Sequence, residues 1–331
     1  MDKNWYSVFF TDPKIPFDHV ITGGIEENLT ALIDSAKLSI DVAVFEFDLE
    51  VVAQALIRAR LRGVRVRVVY DSQFASKDQQ INELIVSGIP AIGDQRASYM
   101  HNKFFIFDNE TVWTGSLNIT INSAYKNNEN VIIVRDPYLA RNYTLEFEEM
   151  FAGRFGKISP LNTDDILMIQ GVQVENYFAP ERQIMGHIKD LVRKAEHYVH
   201  FLAFSFTDRR LSIALIKGLA RGIDVKGVFE KRGVKSKYSK YRSLKKHGAQ
   251  VRLDSNPATM HHKVIIIDGR IVIFGSYNFS SNAAQVNDEN LLIIHDPFIA
   301  ALYEAEFQRI FNKGREEMVL KLAHTLTKKE V

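Results

Sequence analysis

The sequence contains no cysteine, which excludes disulfides, thiolate nucleophiles and cysteine-ligated metals. It carries almost no excess charge. The formal net charge is +2, so no global basicity announces a nucleic-acid partner, and any such partner must be read from local patches. No apolar run is long enough to span a bilayer; VIIIDGRIVIFG is too short and is interrupted by charges. The opening residues MDKNWYSVFFTDPK lack the basic-then-apolar layout of a secretory signal. These absences lead us to expect a cytoplasmic protein without a transmembrane segment. His187, His197, His200 and His295 have no metal-ligand spacing, and there is no glycine-rich phosphate loop. We therefore expect no metal and no nucleotide cofactor.

What is present is a duplication. VAVFEFD (42–48) followed by RGVRVRVVYD (62–71) returns as FLAFSFTD (201–208) followed by RGIDVKGVFEK (221–231). Downstream, Met100, His101, Lys103 and Asp108 match Met260, His261, Lys263 and Asp268, each pair 160 positions apart. Gly115, Ser116 and Asn118 match Gly275, Ser276 and Asn278 in the same register, as do Glu129-Asn130 with Glu289-Asn290 and Asp136-Pro137 with Asp296-Pro297. Chance does not hold a register from Met100 to Pro137, and a long internal repeat is a repeat of structure. In 331 residues this means two domains of ordinary size.

Period and punctuation give each half its elements. In the first half GGIEENLTALIDSAK and DLEVVAQALIRARLRG read as helices, LSIDVAVFEF and VRVRVVYD as strands, KFFIFD, TVWTGS and NVIIVRD as three more strands, and DPYLARNYTLEFEEMF as a closing helix. Strands alternating with helices indicate an α/β fold with a mixed sheet. The boundary falls within GKISPLNTDD (156–165), giving halves 1–158 and 159–331. The tail REEMVLKLAHTLTKKE (315–330) reads as an amphipathic helix packed on the body.

MHNKFFIFD (100–108) and MHHKVIIID (260–268) are apolar strands that begin with a histidine and a lysine. On a strand, residues two apart share a face, so each half presents His and Lys together, and a lysine is rarely buried without a partner. This combination suits an anion. The aspartates fall at strand ends, in DNE and in DGR, which is a hairpin-turn signal. The following strand returns Ser and Asn to the level of His and Lys, and its glycine allows close backbone approach. Breaking a phosphodiester through a nucleophile and a leaving-group acid needs two proton-handling groups, and each half has one suitable histidine. The halves are therefore expected to face each other about a pseudo-twofold axis, with His101 and His261 meeting in one site and Lys103, Lys263, Asn118 and Asn278 surrounding the phosphate. A monomer then suffices for one complete site. His262 points the opposite way and is expected to pack, and Glu46 in VFEFD falls near the site at a strand end.

These stretches resemble the HxKxxxxD…GSxN signature of the phospholipase D superfamily, and the resemblance covers nearly the whole chain. It implies two tandem phospholipase D-like domains, each a mixed sheet flanked by helices and related by a pseudo-twofold axis. It also implies a metal-independent phosphodiesterase that works through a covalent phosphohistidine. Relatives commonly use the histidine of the N-terminal half as nucleophile, which assigns attack to His101 and acid/base work to His261. They also hold each histidine by an acidic residue after its motif. Glu129 and Glu289, each 28 residues after its histidine, match that position. By the same resemblance Ser116 and Ser276 bind or support the phosphate, while Asp108, Asp268, Gly115 and Gly275 are structural.

One local feature bears on the substrate. Residues 230–252 hold nine Lys or Arg against one acid, whereas 72–100 hold two against three. Lys235, Lys237, Lys240, Arg242, Lys245 and Lys246 alternate with Tyr238 and Tyr241, as suits a phosphate backbone with exposed bases. An anionic lipid surface would attract the same strip. The compact halves resemble nuclease-type members, so the expected substrate is DNA or RNA. The alternatives are a phospholipase D or phosphatidyltransferase acting on phospholipid, and a non-catalytic nucleic-acid-binding relative.

Overall fold

The computed structural model describes residues 5–17, 20–158 and 160–327, the last fourteen of these as backbone only. The strands β1 (Tyr6–Phe10), β2 (Ser39–Val44), β3 (Arg65–Tyr70), β4 (Ala91–Gly93), β5 (Phe104–Phe107), β6 (Thr111–Gly115) and β7 (Asn130–Arg135) form one sheet in the order β1-β7-β6-β5-β2-β3-β4. β8 (Ile166–Ile169), β9 (Val172–Ala179), β10 (Tyr198–Ala203), β11 (Asp224–Phe229), β12 (Gln250–Leu253), β13 (Lys263–Ile267), β14 (Ile271–Gly275) and β15 (Glu289–Ile294) form the second, in the order β12-β11-β10-β13-β14-β15-β9-β8. In each sheet one run of three strands is parallel, β2-β3-β4 and β10-β11-β12. The remaining pairs are antiparallel. Both sheets are thus mixed, as the alternating pattern implies.

Helices cover both faces of each sheet, which is why β2 is buried at every residue and reads as a nearly continuous apolar run. α1 (Ile25–Ser35), α2 (Glu50–Leu61) and α3 (Gln79–Val86) close the outer face of the first sheet, and α6 (Ile184–Lys194), α7 (Arg209–Ala220) and α8 (Tyr241–Lys246) that of the second. Two short helices, α4 (Ile121–Tyr125) and α9 (Ser281–Gln285), follow the motif asparagines. Between the sheets lie α5 (Pro137–Phe151) and α10 (Pro297–Thr327). Their Leu139, Tyr143, Phe147, Ile299, Tyr303 and Phe307 join the inner faces of both sheets in one central core.

The repeated Asp-Pro pairs start these two helices. The Asp136 carboxylate accepts the N–H groups of Tyr138 and Leu139, with Pro137 in the first turn, and Asp296 accepts from Ile299 at 2.7 Å. This is an N-cap followed by a residue with no N–H to satisfy.

Three features lie outside the sequence reading. β1, β4, β8, β9 and β12 are additional strands, and α3, α4, α8 and α9 additional helices. The tail does not form a separate helix: its backbone continues α10 without a break to Thr327, because nothing after Phe311 interrupts the helix, and the packing expected of its side chains lies outside the described residues. No helix among the described residues is long and apolar enough to cross a membrane.

Candidate active site

Two short parallel bridges tie the halves together. Met100 pairs with Asp288, and Asn128 with Met260. The His101 N–H donates to Asp288 O at 2.9 Å and the His261 N–H to Asn128 O at 3.0 Å. Each histidine is therefore held against the residue that precedes the glutamate of the other half. The outcome is crossed. His101 Nδ1 lies 2.7 Å from Glu289 Oε2, and His261 Nδ1 lies 2.9 and 3.0 Å from the two oxygens of Glu129. This corrects the expectation that each glutamate serves the histidine of its own motif: the strand register at the pseudo-twofold axis exchanges them.

The motif serines hold the glutamates. Ser116 Oγ–H donates to Glu129 Oε2 and Ser276 Oγ–H to Glu289 Oε2, both at 2.6 Å. Both serines are fully buried, so they support the site from behind and do not offer their hydroxyls to a phosphate. Each serine follows a glycine at a tight crossing. A Cβ on Gly115 would overlap the Asn130 carbonyl oxygen, and one on Gly275, which has φ +153°, the Asn290 carbonyl oxygen. Only glycine lets β6 and β14 approach their neighbours closely enough to bring serine to glutamate.

Lys103 and Lys263 lie beneath the histidines and are almost wholly buried. Lys103 sits just before β5 and Lys263 opens β13. Each ammonium donates to the carbonyl of its own histidine at 2.6 Å. Each also faces an aromatic ring, Phe45 at 4.7 Å and Phe204 at 4.8 Å. The same rings meet the histidines edge-on, Phe45 with His101 at 4.7 Å and Phe204 with His261 at 4.6 Å. The sequence reading missed this pair, although Phe45 and Phe204 occupy matching places in VAVFEFD and FLAFSFTD.

Burial and charge shift every titrating group here. Burial pushes the Lys103 ammonium down to about 8 and that of Lys263 to about 7, although the surrounding carboxylates oppose this. Burial, then the charges of both lysines and of His261, holds His101 well below the ordinary histidine value. His261 falls to about 4, again chiefly through burial, but Glu129 pulls against the shift. Burial raises Glu289 to about 7. Glu129 is held below the ordinary glutamate value: burial would raise it, and His261, Lys263 and Ser116 together outweigh that. With Nδ1–H tied to a carboxylate, each neutral imidazole turns Nε2, with its lone pair, away from that contact. Such a nitrogen can attack an electrophile or take a proton.

Above the histidines opens a cleft of 760 Å³ whose lining includes Asn118, Asn278, Glu46, Phe74, Tyr99 and Arg232. Asn118 Nδ2–H donates to Glu46 Oε2 at 2.6 Å; Ser205 occupies the corresponding place in the other half. The Oδ1 atoms of Asn118 and Asn278 are buried without a partner among the described residues. The motif aspartates lie away from this cleft, at the far ends of β5 and β13. Asp108 accepts the N–H groups of Lys37, Leu38 and Ser39 at 2.6–3.2 Å. Asp268 accepts those of Glu196, His197 and Tyr198 at 2.8–2.9 Å. His262 faces the central core, between Asn130 at 2.9 Å and Glu306 at 3.1 Å. Among the described residues no group of three or more His, Asp or Glu is arranged to hold a metal ion.

The basic strip is next to the cleft rather than in it. Lys235, Lys237, Lys240 and Arg242 line a separate groove. Tyr238 is exposed beside Lys237, whereas Tyr241 is half-buried, its ring 5.4 Å from that of Phe229. Lys245 and Lys246 are exposed on α8 and line neither cavity.

The family described as cardiolipin synthase, PLD-like domain, matches this chain twice, over residues 29–151 and 188–311. The chain belongs to the phospholipase D superfamily. Among curated members, the mitochondrial cardiolipin hydrolase of Xenopus tropicalis is 36% identical over 137 residues, which are 41% of this chain and 64% of that protein. The phospholipase D of Rickettsia conorii is 35% identical over 131 residues, 40% of this chain and 66% of that protein. The chain thus spans just under two thirds of the length of these relatives. In fold, the phospholipase D architecture found here matches the phosphatidylserine synthase of Haemophilus influenzae with a TM-score of 0.70 at 16% identity, covering 98% of this chain and 93% of that one.

Proposed function

We propose that the protein is a phosphodiesterase that cleaves nucleic acid, with residues 1–158 and 159–331 acting as two domains of one site. The observation that carries this is the crossed pair of histidines, one from each half, each fixed by the glutamate of the other and both facing a single cleft over two buried ammonium groups. His101 Nε2 attacks phosphorus in line. The P–O bond breaks, and the leaving oxygen keeps its electron pair and takes a proton from His261. Neutral His261 then removes a proton from water, whose oxygen attacks phosphorus. The P–N bond breaks and its pair returns to His101. The division of labour follows the charges. His261 faces a Glu129 held ionised, which favours the imidazolium, whereas Glu289 beside His101 is pushed toward its neutral form. Burial is the main cause of the low His261 value and the lysine charges add to it; a bound diester offsets the lysine part and so favours the imidazolium. Lys103 and Lys263 supply positive charge from below, and Asn118 and Asn278 face the phosphate oxygens. No step calls for a metal.

Nucleic acid is favoured over lipid by the rim. Among the described residues, none of the exposed large apolar side chains lines the cleft, and exposed apolar patches are one mark of a surface that enters a membrane. The second reading, a phospholipase, is favoured by the names of the curated relatives. The test is incubation in EDTA with single-stranded DNA, duplex DNA and RNA, and in parallel with phosphatidylcholine and cardiolipin vesicles plus ethanol. Nucleic-acid fragments are expected. Phosphatidylethanol with every nucleic acid left intact would overturn the nuclease reading.

A further inference from the structure

The pseudo-twofold axis that makes the two histidines equivalent does not extend to the surface charge. Beside the cleft on the C-terminal half is a groove of 590 Å³ lined by Arg209, Lys235, Lys237, Lys240 and Arg242 and by four serines, with no acidic residue in its lining. Among the described residues none of these five cations has a carboxylate within ion-pair distance; neighbouring Arg210 and Arg232 do, with Asp208 and Glu230. The groove adjoins the cleft. Lys240 N–H donates to Phe206 O at 3.0 Å, one residue beyond Ser205, which lines the cleft, and Arg232 lines the cleft three residues before Lys235 lines the groove.

The matching surface of the N-terminal half has the opposite sign. Where α7 begins with Arg209, α2 begins with Glu50, whose carboxylate accepts from Gln54 at 2.7 Å and Gln80 at 3.3 Å. α3 carries Gln79 bonded to Glu83 at 2.7 Å. The cleft wall on this side holds Glu46, Asp48 and Asp78 against the single cation Lys77.

We propose that the groove is a binding site for backbone phosphates, so that a nucleic-acid strand runs from the cleft past Arg232 over the C-terminal half and is turned away from the N-terminal half. This rests on the nuclease reading. A polyanion follows the sign of the potential. Unpaired cations along one groove neutralise several phosphates at no cost in broken ion pairs, while the acidic wall opposite repels a strand that continues past the scissile bond. The exposed Tyr238 adds a ring at the edge of the track on which a base can stack.

The experiment is salt-dependent binding and cleavage of a labelled single-stranded oligonucleotide by the full chain and by two triple variants, K237A/K240A/R242A in the groove and Q79A/Q80A/E83A on the matched face. A single-stranded phosphate contact contributes about 0.7 to the slope of log K against log salt, so the groove variant should lose about 2 units of slope, while the matched variant keeps its slope. The ratio of kcat/KM for the oligonucleotide to that for bis(p-nitrophenyl) phosphate, which is too small to reach the groove, should fall at least tenfold in the groove variant alone. An unchanged slope and ratio in that variant, with the wild type cleaving the oligonucleotide, would overturn the groove and leave the nuclease reading standing. A wild type that cleaves no nucleic acid and turns over phospholipid would remove both. Loss of binding to phosphatidylglycerol vesicles, with oligonucleotide binding unchanged, would assign the groove to lipid and overturn the proposal.

Discussion

Glu129→Gln tests the crossed geometry directly. The substitution keeps the size of the side chain and one oxygen acceptor but removes the charge that His261 meets at 2.9 and 3.0 Å. Both partners are buried, Glu129 completely, so solvent screening does not dilute the effect. A hydrogen bond to a charged group contributes about 1.5–3 kcal/mol. Losing most of that from the imidazolium of the acid/base residue, at 1.36 kcal/mol per tenfold, should cost about 10- to 100-fold in the step that depends on it. With bis(p-nitrophenyl) phosphate the leaving group departs without an acid, so attack by His101 proceeds while His261 is a poorer base for water. Rapid-quench measurements on Glu129→Gln should show a burst of one p-nitrophenol per site and an accumulating phosphohistidine. Glu289→Gln acts on the attacking histidine, and should slow formation of the intermediate without accumulation. The reasoning fails if the intermediate accumulates in Glu289→Gln instead. It fails also if nitrogen NMR finds the Nδ1–H resonance of His101, rather than that of His261, displaced by Glu129→Gln.

Further outcomes follow from the same contacts. Because burial lowers Lys263 to about 7 and Lys103 to about 8, kcat/KM should fall as pH rises through 7 to 8 and the phosphate loses its counter-charge; a profile flat from pH 6.5 to 9.5 would refute this. Stability should move the other way, since the unfolded lysines bind more protons between about pH 7 and 10.5 than the folded ones do, so urea midpoints should rise across that window. Asp268→Ala strips the acceptor from three N–H groups and should cost about 2–4 kcal/mol in urea unfolding, with turnover at low temperature retained because the residue lies at the far end of β13. Burial opposes the lowered value of Asp268 and the three N–H groups outweigh it, so its contribution is present above the ordinary 3.8 and is lost as pH falls through the lower folded value; an Asp268→Ala penalty that persists fully in acid would contradict this. Gly275→Ala drives a methyl into the Asn290 carbonyl and should separate Ser276 from Glu289, lowering both Tm and turnover; an unaffected Tm would show that β14 can yield.

The duplication made much of this legible. A register of 160 between MHNKFFIFD and MHHKVIIID marked the two halves, the facing pairs of His and Lys, and the turn positions of the aspartates. The crossing was not legible, because it depends on Met100 lying beside Asp288 and Asn128 beside Met260, a pairing between residues nearly 190 and more than 130 positions apart that no local pattern encodes. β1 escaped for the same reason. YSVFF is a short apolar stretch whose partner, β7, lies more than 120 residues away. β4 has three residues and no alternation to read. The basic strip was visible as charge, but the groove was not, since it is completed by Arg209 from a different helix. Phe45 and Phe204 carried no signal of their own in the sequence; only the structure shows that their rings face the ammonium groups.

The crossed contacts also bear on why both halves occupy one chain. Separated, each half would lose the contact between its glutamate and the histidine of the other half, at 2.7–3.0 Å. Other links run the same way. α10, at the end of the chain, reaches β1 at its start: Arg309 donates to Asp12 Oδ1 at 2.9 Å, to Thr11 O at 3.1 Å and to both oxygens of Glu306 at 2.7 Å. Thr11 Oγ in turn accepts the Glu129 N–H at 2.8 Å and donates to Asn127 O at 2.7 Å. The carboxylate that orients His261 is thus anchored through the first strand to the last helix. Joining the halves keeps those partners at high effective concentration. It also lets the two copies diverge at matched places, Glu46 against Ser205 and Glu50 against Arg209. A symmetric dimer of identical halves could not do this, because any substitution would appear on both sides of the cleft. An asymmetric substrate can already assign different work to two equivalent histidines, and the duplicated chain adds a fixed inequality around them.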